Sequence, residues 1–422
     1  MDLSLSQAQD YAVNHNYQIQ NSKMDIEAAR KELGEIMSAG LPQINGDLSY
    51  TNNLELVTQI LPGEIFGGEP GSTFEAQFGT QHNASANIRA SQMIFNGSYF
   101  VGLQTTKVFM RLADENFEKS ELEVTGIVTE SYYLILIAKE NERILQGSLK
   151  NLKQNHYEIS EMNKEGLVED TDVDQLQISI TQLENNLRSV GRQVETVTKL
   201  LKYQMGMDLN MPIQLTNDLE QFLVSANADI IKDIEFNYLT HVDYRIISSQ
   251  ERLAELNLKN EKMAFLPTIT ATANYSKNAM RNEFNLFDFS EKWYSTSSVG
   301  IELNIPLFTS GGRIYKIQEA GIALRQMRNT KKQVEQGLLL NMSETKANMR
   351  SSFESYLNAK ENRALAQKVY EKTNEKYRLG VSSNMDLIQT HNQYLAAQGD
   401  YIQRVSDLLL AKNQLDKIMN NY

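Results

Sequence analysis

From Ile44 to Thr51 the chain alternates strictly: Ile44, Gly46, Leu48 and Tyr50 fall on one side, Asn45, Asp47, Ser49 and Thr51 on the other. A period of two is the mark of a strand with one apolar and one polar face. Three further stretches repeat it. Ala84, Ala86, Ile88 and Ala90 oppose Ser85, Asn87, Arg89 and Ser91; Ile269, Ala271, Ala273 and Tyr275 oppose Thr270, Thr272, Asn274 and Ser276. Val299, Ile301, Leu303, Ile305 and Leu307 oppose Ser298, Gly300, Glu302 and Asn304. The pattern predicts two strand pairs, 43–53 with 83–95 and 268–278 with 296–308. Between the first two strands, Pro62, Gly63, Gly67, Gly68, Pro70 and Gly71 read as a loop.

Elsewhere the period is helical. Residues 3–40 read as one helix, with Ile26, Ala29, Leu33, Ile36 and Met37 on one face, and 244–265 as another. Each ends at a Leu-Pro pair, Leu41-Pro42 and Leu266-Pro267, because the residue before proline is pushed out of the helical region. Two very long helices are predicted, 97–163 and 311–379, each followed by a glycine turn and a returning helix, 172–206 and 384–420. The stretch from Gly311 to Leu379 holds no proline and is dense in strong helix formers, so as a helix it is roughly 100 Å long. Arg325, Lys331, Glu344, Arg350 and Lys360 make it too polar to cross lipid. Leu338, Met342, Met349, Phe353 and Tyr356 recur at steps of three, four and seven, as side-by-side helix packing requires.

The two halves match. From Phe95 to Gly166 is 71 residues and from Phe308 to Gly380 is 72, with equivalent strands before and helices after. This indicates an internal duplication: a first repeat over 1–206, a connector over 207–235 without clear period, and a second repeat over 236–422. All six prolines fall in or beside strands, in their loop or in the connector.

Composition narrows the chemistry. A net charge of −12 argues against a nucleic-acid partner and, in a pore, favours cations. With no cysteine there is no disulfide framework, thiolate nucleophile or lipidated cysteine on this chain. Mean hydropathy is −0.44 and no apolar run approaches a spanning helix, although β-barrel strands escape hydropathy scans. Met1 is followed by Asp2 rather than by a basic and then apolar leader, as expected of a mature chain behind an added Met. The five histidines are scattered, His391 reads as polar helix surface, and neither phosphate-binding glycine loops nor a Gly-x-Ser-x-Gly elbow occurs. No enzyme, cofactor or metal is expected. Each strand is long enough to cross a bilayer when tilted, but four cannot close a barrel, and open edges are not tolerated in lipid. Pattern alone leaves two readings: a membrane wall completed by other chains, or a small soluble sheet on helices. Trp293 and Tyr294 fit either, as interfacial aromatics or as core.

The duplicated order of helix, Leu-Pro, strand pair, long helix, glycine turn and returning helix is similar to the TolC family of outer-membrane efflux and secretion ducts, over essentially the whole chain. Its most specific pieces are Tyr377-Arg378-Leu379-Gly380-Val381 leading to Met385-Asp386-Leu387, and Gly166-Leu167-Val168 leading to Thr171-Asp172-Val173. The resemblance implies a mixed fold: a long α-helical barrel continued into a twelve-stranded outer-membrane β-barrel, four strands from each member of a homotrimer. It implies an exit duct reaching from the outer membrane into the periplasm. Its partners would be a periplasmic adaptor, an inner-membrane RND or ABC transporter, and outer-membrane lipid. The connector would lie in a belt around the helical barrel. The competing function is a soluble coiled-coil scaffold.

By the same resemblance the glycine turns form the periplasmic tip, where Gly166, Leu167, Leu379, Gly380 and Val381 match an adaptor-contacting pattern. The glycines are equally explained as left-handed helix caps. Asp386 resembles the first position of an aspartate constriction, but Gln389 stands where the second aspartate is expected. Tyr377 resembles a tyrosine of the closed gate, whereas Ser382 replaces its arginine partner. Asp170, Asp172 and Asp174, with Glu169, form an acidic run that is a helix start, a contribution to lumen charge or a metal site. Gln175 and Thr181 depart from the calcium-loop pattern, which requires Gly and Glu there.

Overall fold

The computed structural model describes residues 1–231, 235–288 and 290–420, without the side chains of 227–231. In chain order the elements are β1 (Asp2–Leu3), α1 (Leu5–His15), α2 (Tyr17–Ser38), β2 (Gln43–Asn52), β3 (Val57–Pro62), β4 (Thr73–Phe78), β5 (His82–Phe95) and α3 (Gly97–Lys164). Then follow α4 (Asp170–Gln204), β6 (Gln214–Leu215), α5 (Leu219–Ile231), α6 (Val242–Met263), β7 (Thr268–Arg281), β8 (Tyr294–Asn304), α7 (Gly312–Arg378) and α8 (Asn384–Ile418). Two compact units result, each drawing on both halves of the sequence: residues 1–27, 111–250 and 328–422, and residues 28–110 and 251–327.

The second unit carries the strand quartet. Its sheet runs β2-β5-β7-β8, antiparallel throughout. Register lines up the alternation seen in sequence: Ile44, Ala90, Ala273 and Val299 form one cross-strand row, and Gly46, Ile88, Tyr275 and Ser297 the next but one. The rows between are polar, Asn45–Arg89–Asn274–Ser298 and Asp47–Asn87–Ser276–Thr296. Directly opposed residues share a face, so the sheet has one apolar and one polar side. The polar side is internally bonded: Asn87 donates to Asp47 at 2.6 Å, and the Ser49 and Ser85 hydroxyls lie 2.7 Å apart. The apolar side is uncovered, with Leu48 and Val299 each 86% exposed and Ile301 77%. Neither β2 nor β8 has a strand on its outer edge among the described residues.

The segment 53–82 is not all loop. Residues 57–62 and 73–78 pair as a separate hairpin, β3–β4. Its apolar positions crowd at Leu54, Leu56, Val57, Ile60 and Leu61 instead of alternating, which hid it from a period-two search. Strand β8 runs 294–304 rather than 296–308, because Pro306 has no N–H to give a ladder. Strand β7 continues to Arg281.

In the first unit, helix packing supplies the core. Tyr133, Met342, Met349, Tyr356, Val405, Leu408 and Leu409 form one cluster, which takes up the predicted stripe of α7 with Phe353 packed against it. A second cluster joins Leu3, Ala8, Ile19, Val128, Tyr132 and Leu201. The single helix expected over 3–40 is two. Asn16 adopts an extended backbone (φ −62°, ψ 134°), ends α1, and caps α2 by accepting from the Gln18 and Ile19 amides. Ser4 opens α1 with a capping box to Gln7. Within the connector, β6 pairs in parallel with β1, and Leu223 and Ala226 of α5 join the α7–α8 cluster. Residues 232–234 of the connector and 421–422 of the second repeat lie outside the described residues.

Candidate functional site

Both long helices end in the same way, and the reason is local. Gly166 and Gly380 each have φ +72°, in the left-handed region that side chains resist. The Gly166 amide donates to the Asn163 carbonyl at 2.9 Å and the Leu167 amide to Met162 at 3.0 Å. The Gly380 amide donates to Tyr377 at 2.9 Å and the Val381 amide to Lys376 at 2.9 Å. This double closure is the Schellman cap. Four residues after each glycine a new helix starts, and α4 and α8 are each 35 residues long. The caps present apolar side chains outward: Leu167, Leu379 and Val381 are all exposed.

The turns are joined side to side. Asn384, buried at the start of α8, donates through Nδ2 to the Asp172 carboxylate at 2.8 Å and to the Asp172 carbonyl at 3.3 Å. Near the end of α7, the Arg378 guanidinium reaches across to Glu158 of α3, with Nε 3.2 Å and Nη2 3.2 Å from its carboxylate oxygens. Between the turns lies a cleft of about 590 Å³ lined by, among others, Leu167, Asp172, Tyr377, Gly380 and Asn384. Two buried polar atoms on lining residues have no partner among the described residues, the Tyr377 hydroxyl and Asn384 Oδ1. Burial first, and then the charge of Asp172, push the Tyr377 hydroxyl pKa above its ordinary value.

The acids do different things. Asp386 closes a capping box: its amide donates to Ser383 Oγ at 3.1 Å, and its Oδ2 accepts from the Ser383 amide at 3.2 Å and hydroxyl at 2.7 Å. Ser382, where an arginine was expected, also donates to that oxygen, at 3.3 Å. The Ser383 hydrogen bonds hold the Asp386 carboxyl below the ordinary carboxylate range. Gln389, one turn on, is exposed. Asp170 and Asp172 occupy the first turn of α4, which begins two residues before the predicted 172, after an extended Glu169 (φ −79°, ψ 153°). Asp170 accepts from Asn163 at 2.9 Å, Asp172 holds Asn384, and Asp174 points to solvent.

His391 is not helix surface. It is 3% exposed, its ring lies 5.0 Å from that of Tyr370, and burial depresses its pKa to about 4. The sequence reading missed Asn384 and Glu158, and it named Arg378 only as part of the Tyr377–Val381 stretch, without its partner. Ser383-x-x-Asp386 carried a legible capping signal, but side-to-side bonds between segments about two hundred residues apart had none.

A model of the family described as outer membrane efflux protein matches residues 9–203 and 249–421. The probable efflux pump outer membrane protein TtgC of Pseudomonas putida is 20% identical over 341 residues, 77% of this chain and 66% of that protein. The chain thus spans slightly under two thirds of that relative's length. The outer membrane efflux protein BepC of Brucella suis is 21% identical over 413 residues, 96% of this chain and 82% of its own. Among solved structures, the CmeC outer membrane channel of Campylobacter jejuni superposes with a TM-score of 0.75 at 16% identity, covering 99% of this chain and 85% of that one. CusC, described in connection with transmembrane channel formation, gives 0.77 at 16%, covering 98% and 91%. At such identities these superpositions speak to the fold, while the family model spans most of the sequence itself. This chain, in which a helix–strand–helix order and a capped turn recur in each half and which that model matches over both halves, belongs to the outer membrane efflux protein family.

Proposed function

We propose that this chain is one third of a trimeric outer-membrane exit duct, formed by an internal duplication, that passes substrates outward from an inner-membrane pump through a periplasmic adaptor. One observation carries the reading: the β2-β5-β7-β8 sheet leaves its apolar face uncovered and both its edges unpaired. Water penalises such a face, and lipid penalises such edges. Three copies, β8 of each meeting β2 of the next, remove both costs by closing a twelve-stranded barrel with the apolar rows toward lipid and the polar rows toward a water-filled lumen. The helices are too polar for lipid and suit an aqueous periplasmic wall, since no described helix is long and apolar enough to cross a membrane.

The paired turns serve as the periplasmic tip in this reading. Leu167, Leu379 and Val381 offer apolar contacts to an adaptor, around Gly166 and Gly380. Asp386, Gln389, Tyr377, Asp170, Asp172 and Asp174 make up the gate region, in which Asn384 and Arg378 tie the two hairpins together. The deciding experiment is extraction and sizing: the protein should leave cells only with detergent and run as three copies. A monomer released by salt or osmotic shock would return the chain to the scaffold reading.

A further inference from the structure

The β3–β4 hairpin is a second uncovered apolar surface, distinct from the sheet. Its rows Val57–Phe78, Gln59–Ala76 and Leu61–Phe74 share one face. On that face Val57 is 74% exposed and Phe78 52%, and the Phe66 ring packs on Phe74 at 4.8 Å. Among the described residues the ribbon has two strands, so each has an unpaired edge. Natural edges are blunted by lysine, proline or bulges. Here β3 ends in Pro62, while β4 carries neither proline nor lysine. An isolated two-stranded ribbon is marginal in water, and a third strand would stabilise it.

Charge selects the occupant. From 53 to 81 the chain holds Glu55, Glu64, Glu69 and Glu75 and no Lys, Arg or Asp. A second copy of the hairpin would bring four like charges against four, and anionic lipid is repelled for the same reason. A basic partner gains on both counts. We propose that the β4 edge docks a basic, apolar polypeptide segment as an added strand, its backbone pairing with Thr73–Phe78, its apolar side chains against Phe74 and Phe78, and its cations beside the glutamates. The uncovered edge is that of the single chain; that it stays open in the assembly and faces the cell exterior rests on the duct reading.

The test uses the full chain in non-ionic detergent and a fluorescent peptide alternating Lys and Val, read by anisotropy. Binding is expected, with a loss of about tenfold in the variant Glu55→Gln, Glu69→Gln, Glu75→Gln. The control Glu165→Gln, Glu319→Gln, Glu361→Gln, also at exposed positions, should leave binding unchanged. The same peptide N-methylated at every residue should not bind, because neither of its edges keeps a backbone donor. Equal binding of a Glu–Val peptide, equal loss in the control, or full binding of the methylated peptide each overturns the proposal. So does displacement of the peptide by phosphatidylcholine vesicles, or association of whole particles that Phe78→Ser abolishes. Particle mass on the same sample tests the duct reading separately.

Discussion

Gly166 and Gly380 show how little is needed at the two turns. An added Cβ at either position meets open space, so a substitution is felt through the backbone alone. Gly380→Ala is expected to cost about 1–2 kcal/mol, and Gly380→Asn less, as a drop in thermal midpoint by circular dichroism. Ser383→Ala removes the α8 cap and should cost about 1 kcal/mol in the same assay. His391 shows the opposite case, a polar residue inside. Buried positions on α8 run 384, 387, 391, 398, 401, 405, 408, so its spacing placed it on the packed stripe while its residue type argued for the surface. Its folded pKa of about 4 lies below the ordinary 6.5, so between these values the unfolded chain binds the proton and the folded one does not. Stability is therefore full above pH 6.5 and falls as pH drops toward 4, by up to about 3 kcal/mol for this residue. His391→Leu should flatten that part of the pH profile; a profile with the same slope would place the titration elsewhere.

At the scale of elements, the α3–α4 and α7–α8 hairpins share the glycine cap that ends the long helix and differ by one residue in its length, but they differ in how the returning helix starts. Asp386 spends its carboxylate on its own helix, whereas Asp172 spends one oxygen on the neighbouring hairpin through Asn384. On the duct reading, loosening that contact opens the tip more than removing Asp386 does. Asn384→Ala should raise single-channel conductance in planar bilayers, and Asp386→Ala should raise it less. The reverse order would make Asp386 the constriction. Arg378→Ala, which frees Glu158, is expected to act in the same direction as Asn384→Ala.

For the whole molecule the sheet decides. Ile301 and Leu303 stand in edge strand β8 on the uncovered apolar face. On the duct reading, lysine at each should cost about 2–4 kcal/mol per copy near the bilayer midplane, multiplied by three in a trimer. Ile301→Lys with Leu303→Lys should therefore abolish trimers on native gels, while Ser298→Lys on the polar face should leave them intact. Equal tolerance of both substitutions would mean that the two faces see the same solvent.

Much of this architecture was legible in sequence because it rests on local periods. Alternation at Ile44–Thr51 and at Val299–Asn304 fixed which side chains share a face, and the matched glycines located both turns, since a left-handed cap is a property of a few consecutive residues. The break at Asn16, the β3–β4 hairpin and the burial of His391 escaped for separate reasons: no proline or glycine marks the break, the hairpin's apolar positions crowd instead of alternating, and the residue type of His391 argued against its spacing. Ser383 and Asp386 are neighbours in sequence and their box could be read there, but Asn384 meets Asp172 only after some two hundred intervening residues have folded back. Periodicity by itself determined the elements and their faces. Tertiary structure alone decided which polar groups meet between hairpins, because those bonds depend on chain segments that no local pattern relates.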